Sequence, residues 1–254
     1  MKKLAVIAAV LLGLGATSTT AQAAEGGAQP PELHWSFDGI FGTFDKAQLQ
    51  RGFQVYTEVC STCHGLRFVA FRNLAGLGYN EDQIKAFAAD FQVTDGPDEA
   101  GDMFQRPGEP ADRFPEPFPN EQAARYANGG AYPPDLTLMP EKRAGGADYI
   151  HALLTGYKDP PADVELLPGQ YYNAYFPGNA ISMAPPLIEG GVTYADGTEA
   201  TVDQMATDVS AFLRWTSEPQ LEERKTMGVK VSLFLLVFTG LLYAVKRKVW
   251  ADLH

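Results

Sequence analysis

Cys60-Ser61-Thr62-Cys63-His64 decides how this chain is read. It has the form Cys-x-x-Cys-His, and its cysteines are the only two in the sequence. Two thiols separated by two residues reach the two vinyl groups of one porphyrin, and the adjacent imidazole then falls under the iron. The motif is therefore read as the attachment site of one covalently bound haem c. Cys60 and Cys63 form the thioethers and His64 supplies one axial ligand. Other uses of the pattern lack their companions. A structural zinc site needs four ligands, usually from a second Cys/His pair, and the sequence has none. A thioredoxin-like Cys-x-x-Cys sits near a βαβ pattern, and none is visible.

Upstream of the motif, Leu49, Phe53 and Tyr56 recur at spacings of four and three, which places them on one face of a helix that delivers Cys60 and His64 at its end. Asp45 is the expected N-cap, with Gln48 as its capping-box partner and Phe44 and Leu49 as a hydrophobic staple. Asn80 with Gln83 repeats the capping signal and opens a second helix through Phe87 and Phe91. Thr201 with Gln204 opens a late helix with Met205, Val209 and Phe212 on one face, ended or kinked by Pro219. Residues 24–43 and the Pro- and Gly-rich stretches between helices read as loop. Gln92 to Pro119 holds seven acids (Asp95, Asp98, Glu99, Asp102, Glu109, Asp112 and Glu116) against Arg106 and Arg113. Such a run is either solvated loop or a docking surface. The expected fold is mainly α.

The ends of the chain place this chemistry. Met1-Lys2-Lys3, an apolar run from Leu4 to Ala16 and the Ala21-Gln22-Ala23 site together form a secretory signal peptide over 1–23. Val231 to Val245 (VSLFLLVFTGLLYAV) carries no charge and covers about 22 Å as a helix, short of the roughly 30 Å hydrocarbon core. Lys230 and Lys246 can snorkel to extend it, and Trp250 suits an interface. Lys246-Arg247-Lys248 marks the cytoplasmic side. The expected organisation is an exported haem domain over 24–226, a transmembrane anchor over 227–247 in contact with membrane lipid, and a cytoplasmic tail over 248–254.

Charge narrows the partners. The chain has 20 Lys and Arg against 31 Asp and Glu, net −11. Loss of Lys2 and Lys3 with the signal would leave −13. An acidic surface excludes nucleic acid as a natural partner and suits a basic protein.

The second axial ligand has to be a histidine or a methionine for an electron carrier. His34 lies in the N-terminal loop, His254 ends the chain, and His151 sits in an apparent helix beside Tyr149. Met205 faces a helix core, Met227 borders the anchor, and Met103 lies in the acidic run. Met139 precedes Pro140. Met183 lies in Ile181-Ser182-Met183-Ala184-Pro185-Pro186, where prolines stiffen the loop. The residues by themselves leave both Met183 and Met139 open, with Met183 ahead.

Longer stretches extend the pattern: Arg51-Gly52-Phe53-Gln54-Val55-Tyr56, Asp95-Gly96-Pro97 through Arg106-Pro107-Gly108, Pro133-Pro134-Asp135-Leu136, Tyr171 to Pro186 (YYNAYFPGNAISMAPP) and Phe212-Leu213-Arg214-Trp215. With the anchor and its basic tail, the chain resembles the cytochrome c1 family, the haem subunits of ubiquinol–cytochrome c reductase. The resemblance implies a class I-type cytochrome c fold with long loop insertions, plus one C-terminal transmembrane helix. It implies Met183 as sixth ligand and Arg143 and Tyr149 near a haem propionate. It implies an electron carrier between the Rieske iron–sulfur protein and a soluble c-type cytochrome, with cytochrome b beside the anchor. The location implied is a cell inner membrane, haem domain on the periplasmic side. Some bacterial relatives carry an extra cysteine pair before the ligand methionine. This chain has none, so that loop must be held another way. Alternatives are a free-standing membrane-tethered shuttle cytochrome, or a haem enzyme or sensor with an open iron site.

Overall fold

The computed structural model describes residues 27–251, so the predicted signal peptide and His254 lie outside the described residues. The described residues are mainly helical, with two short antiparallel ribbons among them. Helix α1 (Lys46–Val55) runs into a π-helical turn (Tyr56–Cys60) that carries the motif. A 3₁₀ segment (Phe71–Leu77) and α2 (Glu81–Ala89) follow, then β1 (Gln92–Asp95) paired with β2 (Phe104–Pro107). Next come α3 (Glu121–Ala127), α4 (Met139–Lys142) and α5 (Gly146–Thr155). The two-residue strands β3 (Tyr171–Tyr172) and β4 (Ala180–Ile181) pair before α6 (Val202–Ser217) and α7 (Leu221–Val249).

The frame is the crossing of α1 and α6, the most extensive helix contact in the fold. It forms because both helices bury the faces their periodicity marks: Leu49, Phe53 and Tyr56 on one, Met205, Val209 and Phe212 on the other. Phe53 lies at the centre. Its ring is 5.6 Å from Phe87, 5.7 Å from Phe212, 6.0 Å from Tyr79 and 6.1 Å from Phe114. Gly52 permits the approach, since a Cβ there would stand 2.1 Å from the Asp208 carbonyl oxygen and 2.6 Å from Phe212 Cβ.

The crossing also holds a buried ion pair. Asp208 is fully buried, and its carboxylate accepts from Arg51 Nε at 2.9 Å, Arg51 Nη2 at 3.2 Å and Gln204 Nε2 at 3.0 Å. Arg51 Nη1 reaches on to Asp196 at 2.9 Å. The Asp196 carboxyl is held down to about 2, first by the Thr198 N–H and hydroxyl and then by Arg51. Its ionised form is therefore favoured in the fold above the ordinary carboxylate range, and that contribution disappears as pH falls through about 2. Asp208→Ala is expected to cost about 3 kcal/mol, the lower end for breaking a buried pair because Arg51 keeps some solvent, and to lower Tm by roughly 6–12 °C in a thermal melt.

The helix starts largely follow the capping signals. Asn80 Oδ1 accepts from Gln83 N and Gln83 Oε1 accepts from Asn80 N, both at 2.9 Å. Thr201 Oγ1 accepts from Gln204 N. Asp45 caps α1 through the N–H groups of Ala47 and Gln48. The reciprocal bond expected from Gln48 is replaced by the Ser36 hydroxyl, which accepts from Asp45 N. The neighbouring loop thus satisfies the donor that the capping box would have taken.

The acidic stretch is more ordered than a solvated loop. β1 and β2 close it, and Arg106 binds both Asp95 and Asp112. Asp98 Oδ1 accepts from the N–H groups of Ala100 and Asp102. Arg106 first, for Asp95 and Asp112, and the Asp102 N–H first, for Asp98, hold these carboxyls below their usual range. The exposed acids that remain in the stretch include Glu99, Asp102 and Glu109.

The last helix, α7, is long and apolar enough to cross a membrane. It begins ten residues before the predicted apolar run, at buried Leu221, so its first turns belong to the folded domain and the rest projects from it.

Candidate haem c site

The motif closes as one tight turn. The Cys60 carbonyl accepts from Cys63 N at 3.1 Å and from His64 N at 2.9 Å. Ser61 N reaches back to Tyr56 O at 2.8 Å, the wider i+5 spacing of the π-turn, and the Ser61 hydroxyl donates to Thr57 O. Tyr56 donates its hydroxyl to the His64 carbonyl at 3.0 Å, which ties the motif to the aromatic core.

His64 Nδ1 lies 2.7 Å from the Pro134 carbonyl oxygen. A carbonyl only accepts, so Nδ1 carries the proton and Nε2 keeps its lone pair. This is the tautomer a metal-ligating imidazole needs, fixed by the partner of its other nitrogen. Burial lowers the His64 pKa, against smaller opposing effects of Pro134 and Asp135, so the ring is neutral at neutral pH. The Pro133–Leu136 stretch is itself fastened: Leu136 N donates to Gly65 O, and Asp135 accepts from Arg67 N and Thr137 N.

The cysteines are free of each other and half-buried. Burial, with Cys63 adding to it, pushes the Cys60 thiol up to about 12, the opposite of the lowered pKa of a redox nucleophile. Among the described residues no three His, Cys, Asp or Glu side chains gather as a metal cluster. The donor set fits haem c: two thiols one turn apart, followed by a neutral imidazole in the right tautomer.

Met183 is half-buried in the loop after β4, and its carbonyl accepts from the Tyr157 hydroxyl at 3.0 Å. Tyr157 follows α5, and burial, with Tyr149 and Tyr171 adding to it, raises its phenol pKa. Arg143 lies over the Tyr149 ring, its Cζ 5.8 Å from the centroid. The structure thus brings Arg143, Tyr149, Tyr157 and Met183 into one neighbourhood, while His64 is held from the Pro134 side.

The loop before Met183 is secured without a disulfide. Asn173, fully buried, donates to the Leu153 carbonyl and accepts from Tyr175 N and Phe176 N. Asn179 donates to the carbonyls of Asn173 and Ala174 and takes the left-handed conformation (φ 58°) that asparagine tolerates. Gly156 lets this loop close on the end of α5, where a Cβ would meet Tyr175 Cδ2 at 2.6 Å.

Among the other candidates, Met205 is in the core, Met103 and Met227 are exposed, and Met139 is half-buried at the start of α4, five residues after Pro134. His151 is buried with Nε2 3.0 Å from Asp203, and His34 is exposed. Residue-by-residue reading assigned no role to the Pro134 carbonyl, Tyr157 or Asn173. Two of them fall in stretches already singled out, the Pro-Pro-Asp-Leu and Tyr171–Pro186 segments, but a carbonyl leaves no mark in a sequence.

The profile of the Cytochrome C1 family matches residues 35–253. Cytochrome c1 of Rhodospirillum rubrum is 50% identical over 99% of this chain and 97% of its own length. Cytochrome b/c1 of Bradyrhizobium diazoefficiens is 51% identical over 99% of this chain, which spans only 40% of that longer protein. The mitochondrial cytochrome c1 haem protein of Saccharomyces cerevisiae is 49% identical over 94% of this chain and 79% of its own length. The fold, the motif turn and these likenesses agree: the chain belongs to the cytochrome c1 family, whose members carry one covalently bound haem c.

Proposed function

We propose that this chain is the haem subunit of a ubiquinol–cytochrome c reductase, the bc1 complex, taking single electrons from its Rieske iron–sulfur protein and passing them to a soluble c-type cytochrome. The haem supplies a one-electron iron couple. Cys60 and Cys63 would tether it, and His64 Nε2 and the Met183 thioether would be the protein donors to its iron. Two protein donors would leave no position for a small ligand, which favours electron transfer over oxygen or peroxide chemistry. The Arg143 guanidinium and Tyr149 hydroxyl would bind a haem propionate, a role supported by the packing of Arg143 over the Tyr149 ring. The Pro134 carbonyl on His64 Nδ1 is the observation that carries this reading, because it leaves Nε2 for iron. Tyr157 and the Asn173 network keep the Met183 segment in place.

Residues 227–247 anchor the chain in the inner membrane beside cytochrome b, with the haem domain in the periplasm and Lys246-Arg247-Lys248 on the cytoplasmic side. Signal cleavage after Ala23 would precede this. The acidic surface attracts a basic acceptor, and in the 92–119 stretch Asp98, Glu99, Asp102 and Glu109 are exposed for docking, whereas Asp95 and Asp112 are paired with Arg106.

The test is purification from membranes through a tag on the full chain. Haem should remain with the polypeptide through acid–acetone extraction, and cytochrome b and a Rieske protein should co-purify. Haem that extracts freely would overturn covalent attachment. A haem-loaded chain that always purifies alone would make it a tethered shuttle. Ready CO binding by the reduced wild type would point to an open iron site.

A further inference from the structure

Residues 36–43 form a closed loop at the foot of α7. Thr43 N donates to Ser36 O at 3.0 Å, and the flanking Phe37 and Phe44 are buried with their rings 5.1 Å apart. Between them the chain turns outward through Gly39 (φ +69°) and returns at Gly42, where a Cβ would stand 2.0 Å from Asp38 O. The tip is Ile40-Phe41, and these side chains are 66% and 83% exposed. Single exposed apolar residues are ordinary. Two adjacent ones on a loop with buried feet are less so, and their position gives them a partner.

The loop is fastened to α7 just before its apolar run. Lys225 Nζ donates to the carbonyls of Phe37 at 2.5 Å and Gly42 at 3.2 Å, and Phe44 N donates to Glu222 Oε1 at 2.8 Å. Lys225 precedes Val231 by six residues, about 9 Å along a helix. The polar zone of a bilayer adds roughly 5–7 Å on each side of the hydrocarbon. The uncharged run covers only about 22 Å of the roughly 30 Å hydrocarbon, so the hydrocarbon edge lies about 4 Å before Val231 and Lys225, which holds the loop, falls about 5 Å outside it, within the polar zone. We infer that Ile40 and Phe41 insert into the lipid interface as a second membrane contact, setting the tilt of the haem domain on its anchor. This rests on the reading of α7 as a membrane anchor.

Spin labelling of the full haem-loaded chain in phosphatidylcholine–phosphatidylglycerol nanodiscs tests it, with the nitroxide on Phe41→Cys and, separately, on Ile40→Cys. Phe238→Cys reports the span and Tyr126→Cys, at a position 93% exposed, reports water. The unsubstituted chain gives the labelling background. The ratio of oxygen to nickel-chelate accessibility at positions 40 and 41 should rise well above that at 126 and approach that at 238. A water-like ratio at 40 and 41 with a lipid-like ratio at 238 overturns this inference and leaves the anchor standing. A water-like ratio at 238 overturns the anchor. Low access to both reagents at 41 in the assembled complex would mean a protein covers the loop, and would overturn lipid as its partner.

Discussion

Met183→Leu is expected to keep its covalently attached haem while the midpoint potential falls by on the order of hundreds of millivolts, a large part of the roughly 0.8 V range that axial ligation spans. Leucine matches methionine in volume but offers no donor, so packing should survive while the proposed thioether–iron bond would be lost. The reduced variant should bind CO, and its electron transfer to a soluble cytochrome should collapse. Redox titration and CO difference spectra on the purified full chain check this. An unchanged potential, with the drop found in Met139→Leu instead, would move the ligand to Met139. Tyr157→Phe is the milder companion. It removes one hydrogen bond to the Met183 carbonyl, a loss of about 0.5–1.5 kcal/mol, so it should loosen the segment without abolishing the bond.

Gly52→Ala is expected to be severely damaging for a one-carbon change. The added methyl would meet the backbone oxygen of Asp208 at 2.1 Å and Phe212 Cβ at 2.6 Å. Neither is the free end of a flexible side chain, so α1 and α6 must move apart. Overpacking a core costs roughly 1–3 kcal/mol, and a backbone clash at a helix crossing belongs at or above the top of that range. The same shift disturbs the Arg51–Asp208 pair and the aromatic cluster around Phe53. Haem-loaded protein should be scarce in membranes, and what accumulates should melt early. Gly228→Ala has nothing within 4 Å of the new methyl and should be neutral or slightly stabilising. Equal yields and melting for the two variants would mean that the crossing is looser than described.

The contrast between those glycines shows where sequence and structure divide. Local chemistry was legible in the residues. The Cys60–His64 spacing implied one haem, because two thiols and an imidazole in five residues can meet one porphyrin without help from the rest of the chain. The Asn80 and Thr201 caps and the α1 and α6 faces were legible because capping and helical periodicity act over three or four residues. The apolar run before Lys246-Arg247-Lys248 was legible from composition alone. What lay beyond reach depended on which distant segments meet. Gly52 reads as a mild helix defect until Asp208 arrives 156 positions later. Asp45 N was expected to donate to the Gln48 side chain and instead donates to the Ser36 hydroxyl of the preceding loop. Asp95 and Asp112 read as free surface charge, yet Arg106 on β2 pairs with both, and Asp98 holds the turn of the hairpin by accepting from backbone N–H groups. The tautomer of His64 was the least readable of all. A carbonyl from Pro134, seventy residues away, decides it, and every residue type carries the same carbonyl, so only the tertiary fold could say which one it would be.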